Sequence, residues 1–457
     1  MKYLETNKPF FTRMLKIALP VAAQSIITTG VNLVDTIMLG QLNETALSAS
    51  SLANQFITLF VFLMMGISMG VSVLVSRYWG ARDIVSLKKA AAIAIRFGLI
   101  IALGFTIVNF FLPETIMSLY IHDVDVIQAG AIYLRWSTIT FVLVCFSTIL
   151  TNIMRSISMS HIPLIAAVCA FFINIGANYI FIFGKLGAPA MGIAGAALGT
   201  VIARLVEAGL ICGYFFLYNK KMRFRIRELF SKCGDMLPEF LRVALPVVLS
   251  DGLLGIGDNV LAMIMGRVGS AFVSANAITN AVSRVSTIFV TGLAFSSCFI
   301  TGQTLGEGEP DRAKRQGNTF LLMGFAFGIL AAAIIQIISR PILNAYNIAS
   351  GTRDIAAQLM NAISVIIIFR STNSILTKGV LRGGGDTRFL LLADMSTLWL
   401  AAIPLGALAS FVLHVPPFWI YISLHADQII KAVWCVFRLK GGKWIKKIKS
   451  ASLYTEY

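Results

Sequence analysis

Twelve apolar runs, each long enough to cross a bilayer, take up most of this 457-residue chain. They lie near 15–39, 46–76, 90–113, 130–154, 162–184 and 190–218, then near 240–266, 271–303, 317–339, 355–381, 388–413 and 416–437. One hydrocarbon crossing takes about 20 mostly apolar residues. Backbone crosses lipid only where its hydrogen bonds are satisfied internally, and runs of this length fit helices rather than the alternating strands of a barrel. The expected fold class is therefore all-α integral membrane, with twelve transmembrane helices. With 57% hydrophobic and 13% charged residues, the loops leave no room for a soluble domain. That excludes a membrane-anchored catalytic domain. The net charge of +17 is dispersed among loops, so no nucleic-acid partner is expected.

Loop charge tests the count, because Lys and Arg concentrate on the cytoplasmic side. With both termini inside, the inner segments hold 29 basic residues and the outer ones five: Arg135, Lys185, Arg267, Arg340 and Arg353. A missed or extra helix would scramble that alternation. The N-terminal stretch runs into the first apolar run without a small-residue cleavage site, so no removable signal peptide is expected. Six scattered cysteines (145, 169, 212, 233, 298, 435) show no metal-ligand spacing and read as packing residues.

The chain also repeats itself. An offset of 226 residues aligns Leu19-Pro20-Val21 with Leu245-Pro246-Val247, Gly40 with Gly266, Asn54 with Asn280, Gly80 with Gly306 and Lys88 with Lys314, without a gap. One added residue then pairs Arg155 with Arg382. Six helices separate the copies, which gives both the same orientation, as in a parallel repeat about an axis along the membrane normal. The expected organisation is a first lobe over 1–218, a cytoplasmic linker over 219–239, a second lobe over 240–437 and a basic cytoplasmic tail over 438–457, each lobe a six-helix bundle and the two related by a pseudo-two-fold axis.

The run from Leu19-Pro20 through Asp35-Thr36-Ile37-Met38-Leu39-Gly40, the segment Asn174 to Gly184, the following Gly192 to Thr200, and Leu381-Arg382-Gly-Gly-Gly-Asp386-Thr387 resemble the multidrug and toxic compound extrusion (MATE) family. Lys443-Trp444-Ile445 after the last helix fits too. The resemblance spans nearly the whole chain. It implies a two-lobed antiporter in the cytoplasmic membrane of a bacterium, acting as a monomer and needing no cofactor. Such a protein expels amphipathic, often cationic, small molecules by letting protons or sodium ions in.

Each ionisable group inside lipid needs a reason to be there, since Asp at a helix centre costs about 2.5–3.5 kcal/mol on insertion scales. Six acids qualify: Asp35, Glu207, Asp251, Asp258, Asp394 and Asp427. Glu207 follows Arg204 by three residues and Asp427 precedes Lys431 by four, so both read as structural helical pairs. Asp35 has no basic residue within a turn; its nearest polar neighbours are Asn32 and Thr36. That suits a carboxylate that loads and unloads a cation, although a wet carboxylate at the outer end of its span is also consistent. In the resembling family a first-helix aspartate in this motif couples the cation. Its partners there match Asn174, Asn178 and Thr200, a set of oxygens that can equally form a sodium site. Some branches carry a second aspartate at the position of Asn178, and an amide takes up no proton.

In the second lobe Asp258 aligns with Asn32, one turn from the position of Asp35, and Asp251 lies two turns earlier on the same stripe. A coupling or substrate-contacting role and a lobe-internal hydrogen bond are both open for Asp258, and Asp251 and Asp394 are weaker candidates. Arg284 and Arg370 are expected to pair with Asp251, Asp258 or a carbonyl. A flippase for a lipid-linked oligosaccharide or cell-wall precursor is the alternative function, but it would need several intramembrane cations for pyrophosphate. Only Arg204, Arg284, Arg370 and Lys431 are available. A polytopic enzyme would show a cluster of His, Asp or Glu, whereas His122, His161, His414 and His425 are isolated.

Overall fold

The computed structural model describes residues 3–219, 221–345 and 349–447; Lys2, Lys220 and residues 448–457 of the basic tail lie outside the described residues. Among the described residues every regular element is helical. The first half contains α1 (Lys8–Gly40), α2 (Glu44–Gly80), α3 (Ile84–Phe111), α4 (Pro113–Ser118), α5 (Val124–Trp136), α6 (Thr140–Ser156), α7 (His161–Phe183) and α8 (Ile193–Tyr218). The second contains α9 (Leu237–Val268), α10 (Ser270–Ser286), α11 (Ile288–Gly306), α12 (Pro310–Ala345), α13 (Ser350–Gly383), α14 (Thr387–Phe411), α15 (Pro417–Leu424) and α16 (Ala426–Lys440). Ten of these helices are long and apolar enough to cross a membrane. The pairs α5–α6 and α15–α16, bent by 56° and 43°, bring the number to twelve.

Three expected spans therefore differ in detail. Those read as 130–154 and 416–437 are each broken, and 271–303 is two helices meeting at Thr287. The Thr287 hydroxyl donates back to the Ser283 carbonyl at 2.8 Å, the local bond by which a threonine competes with helix continuation. Some helix starts follow side-chain caps. Asn43 accepts from the Ala46 N–H at 2.7 Å before α2, and Asp83 accepts from the Ser86 N–H at 3.0 Å before α3. Gly184, at φ +66°, ends α7 in the left-handed conformation that favours glycine. Pro20 inside α1 and Pro246 inside α9 occupy repeat-related positions, each deleting one backbone hydrogen bond from the first helix of its half.

The chain packs as two compact units. Among the described residues, the first takes in Ala23–Val75 and Asp83–Leu241; the second takes in those up to Ala22, Ser76–Arg82 and those from Arg242 on. The grouping does not follow a single cut in the linker, because the beginning of α1 and the end of α2 belong with the second unit. Glycines allow that packing. A Cβ at Gly292 would fall on the Ala18 carbonyl, one at Gly302 on the Ser76 hydroxyl, and one at Gly80 on the Gln303 carbonyl.

Within the first unit, Phe56, Phe60, Phe105 and Phe141 form an aromatic cluster with centroids 5.0–6.0 Å apart. The linker docks on the start of α3, where Lys88 meets Glu228 and Lys89 meets Asp235, each at 2.6 Å. The Lys89 hydrogen bond holds the Asp235 carboxyl below its ordinary range. In the second unit Ile363, Ile366, Ile367, Tyr421 and Leu424 are fully buried. Many large apolar residues, among them Leu33, Ile100, Phe111 and Leu400, are exposed, the surface a bilayer requires and water would penalise.

A candidate ion and substrate cavity in the first unit

A cavity of about 640 Å³ lies inside the first unit, walled by α1, α2, α5, α6, α7 and α8. Helical periodicity supplies its walls: α8 presents Ala196, Thr200, Ala203, Arg204 and Glu207, and α1 presents Val31, Asn32, Asp35 and Leu39. Its charged lining residues are Asp35, Arg204 and Glu207.

Three of the four expected first-lobe residues form one hydrogen-bonded chain. The Asn178 amide donates to Asp35 Oδ1 at 2.6 Å and, more weakly, to Asn174 Oδ1 at 3.4 Å. Asn178 is fully buried and Asn174 nearly so, and Asn178 Oδ1 has no partner among the described residues. Thr200 stands on the same wall, its hydroxyl donating to the Ala196 carbonyl at 3.0 Å while its oxygen can still accept. The sequence did not single out Tyr133 as a site residue. Its ring is buried against the cavity, and its hydroxyl accepts a long 3.5 Å bond from Asn54. Asn54 stood out only as a repeat identity, and no sequence signal pointed to Tyr133.

Arg204 and Glu207 pair at 2.7 Å, as their spacing implied. Both also line the cavity, and the Arg204 charge acts on Asp35 and Tyr133. The carboxylate with no basic residue within a turn on its own helix therefore shares its cavity with one from α8.

The second-lobe acids are placed differently from one another. Asp251 is ion-paired with Arg382 at 3.0 Å, not with Arg284 or Arg370, which make no ion pair among the described residues. The physical reason lies in the repeat. In the first unit the repeat-related Arg155 donates to Gln24, and Asp251 aligns with Ser25 beside it, so each arginine reaches the same stretch of the first helix of its half, meeting a neutral amide in one and a carboxylate in the other. Asp258 is exposed and has no hydrogen bond or ion pair among the described residues, so the lobe-internal hydrogen bond is not made there. Arg370, Lys378, Asp427 and Lys431 lie near enough to act on it electrostatically. Lys431 does meet Asp427, at 3.7 Å, but its closer partner is Asp394, at 2.8 Å.

The approach of α7 and α8 depends on glycine. A Cβ at Gly199 would fall on Asn178 Oδ1, whereas one at Gly209 on the same helix meets nothing within 4 Å. Gly199→Ala is expected to push Asn178 off Asp35 and to cost about 1–3 kcal/mol of stability through overpacking. Thermal melting in detergent and gradient-driven efflux, each compared with Gly209→Ala, check this. Equal behaviour of the two variants would remove Gly199 from the site.

Ten apolar helices and two bent pairs, with a polar cavity inside one bundle, define a polytopic helical membrane protein. The MatE family model matches the chain twice, over 20–180 and 246–408, starting points separated by the same 226 residues as the internal repeat. The chain is a member of that family, which is one of transporters. A probable multidrug resistance protein NorM of Thermotoga maritima is 24% identical over 95% of this chain and 93% of its own. An uncharacterized transporter, YisQ of Bacillus subtilis, is 23% identical over 90% of each chain. A crystal structure of a MATE protein in the bent conformation shares the fold, with a TM-score of 0.86 and 18% identity over 96% of this chain and 99% of that one.

Proposed function

We infer that the chain is a secondary active antiporter that exports amphipathic, mainly cationic compounds in exchange for protons or sodium ions by alternating access. It would act as a monomer in the cytoplasmic membrane, with both termini inside and two lobes joined by the 219–239 linker. The observation that carries this reading is the hydrogen bond from Asn178 to Asp35 on the wall of a cavity large enough for a drug-sized molecule. A lone carboxylate so placed can hold either the coupling ion or the cationic end of a substrate, and the exchange of one for the other is antiport. The Asn178 N–H stabilises the ionised form of Asp35, the form that takes up either a proton or a sodium ion.

Ethidium transport in everted vesicles tests the reading. Vesicles containing the protein are expected to accumulate the dye when a proton or a sodium gradient is imposed, and the gradient that drives accumulation names the coupling ion. No gradient-dependent accumulation under either condition would overturn antiport.

A further inference from the structure

Arg204 is more than the partner of Glu207. Glu207 engages a single nitrogen, Nη1, and is itself nearly buried, with 10% of its side chain exposed against 38% for Arg204. Both line the cavity, and Arg204 is the more exposed of the two. A guanidinium carries five N–H donors in a fixed fork; one of them is bonded to Glu207, and Arg204 lines the same cavity as Asp35. For a simple cation the Arg204–Glu207 pair adds no net attraction to that of Asp35. For a molecule with an amine at one end and a carboxylate at the other, Asp35 and Arg204 are complementary.

We propose that Arg204 recognises an anionic oxygen of the substrate, so that the cavity takes zwitterionic amphipaths with the cationic end toward Asp35 and the carboxylate toward Arg204. Glu207 is a positioning residue that fixes the guanidinium on the wall. The proposal rests on the antiporter reading and deepens it.

A rhodamine with a free carboxyl group and its methyl ester share one cationic ring system and differ only in the carboxylate. Binding of each to purified protein is read by fluorescence polarisation, and transport of each in vesicles alongside ethidium. Arg204→Gln is expected to weaken binding of the free-carboxyl dye by about ten- to a hundredfold, the worth of a charge-assisted hydrogen bond, while leaving the ester unchanged or tighter. Arg204→Lys restores part of the loss. Because Arg204→Gln leaves Glu207 without its partner, the double variant Arg204→Gln, Glu207→Gln is measured too, and it should show the same selective loss. Equal effects on both dyes, or none on either, overturn the proposal. Failure of the wild type to move ethidium under any gradient overturns the antiporter reading instead, and the binding measurements still decide the role of Arg204.

Discussion

Replacing Asp35 with asparagine is expected to leave a folded, membrane-inserted protein whose gradient-driven efflux falls to the level of vesicles lacking it. The substitution keeps the shape of the side chain and an oxygen able to accept the Asn178 N–H, which now stands 2.6 Å from Oδ1. It removes the only acid on the α1 wall of the cavity. What remains is the Arg204–Glu207 pair, which carries no net charge, so neither a proton nor a cationic substrate finds a counter-charge. Expression, melting temperature and dye binding in detergent separate loss of coupling from loss of fold. If Asp35→Asn retains coupled efflux while Asp258→Asn abolishes it, the coupling site lies on α9 and the reading of the first unit fails.

The number of crossings was legible because lipid penalises every misplaced charge, which leaves basic residues marking the loops. Breaks inside crossings were not legible. The Ser137–Ile139 interruption between α5 and α6, and Thr287 between α10 and α11, contain no Gly, Pro or charged residue to mark them. Nor did sequence show that the start of α1 packs with the second half. A helix is a local object, and the contacts of Ala18 with Gly292 and of Ser76 with Gly302 are not.

The site divides the same way. Arg204–Glu207, three residues apart, follows from helix geometry. Arg382–Asp251, separated by 131 residues, does not, although the repeat had already paired Arg155 with Arg382. The bond between Asn178 and Asp35 was reached through the family resemblance. Tyr133 was missed, since a tyrosine in an apolar run is ordinary unless its neighbours in space are known.

Lys431→Met is expected to be the most destabilising single change among the intramembrane charges of the second unit. One ammonium there serves two carboxylates, Asp394 at 2.8 Å and Asp427 at 3.7 Å, with all three side chains at most 5% exposed. Asp394 also accepts from the Ser250 hydroxyl, and Asp427 from the Gln428 amide at 2.6 Å. Methionine matches the length of lysine but leaves two neighbouring buried carboxylates without a cation, and breaking a buried pair this way costs about 3–5 kcal/mol. Asp427→Asn should cost far less, because the Lys431–Asp394 pair that remains is neutral and the amide can keep a hydrogen bond to Gln428. Melting of the detergent-solubilised variants, followed by size-exclusion chromatography after heating, gives the ranking. A Lys431→Met protein that melts with the wild type yet transports nothing would make the triad part of the transport cycle rather than of the scaffold. Equal destabilisation by Asp427→Asn would show that the second carboxylate, not the excess of negative charge, is what the fold depends on.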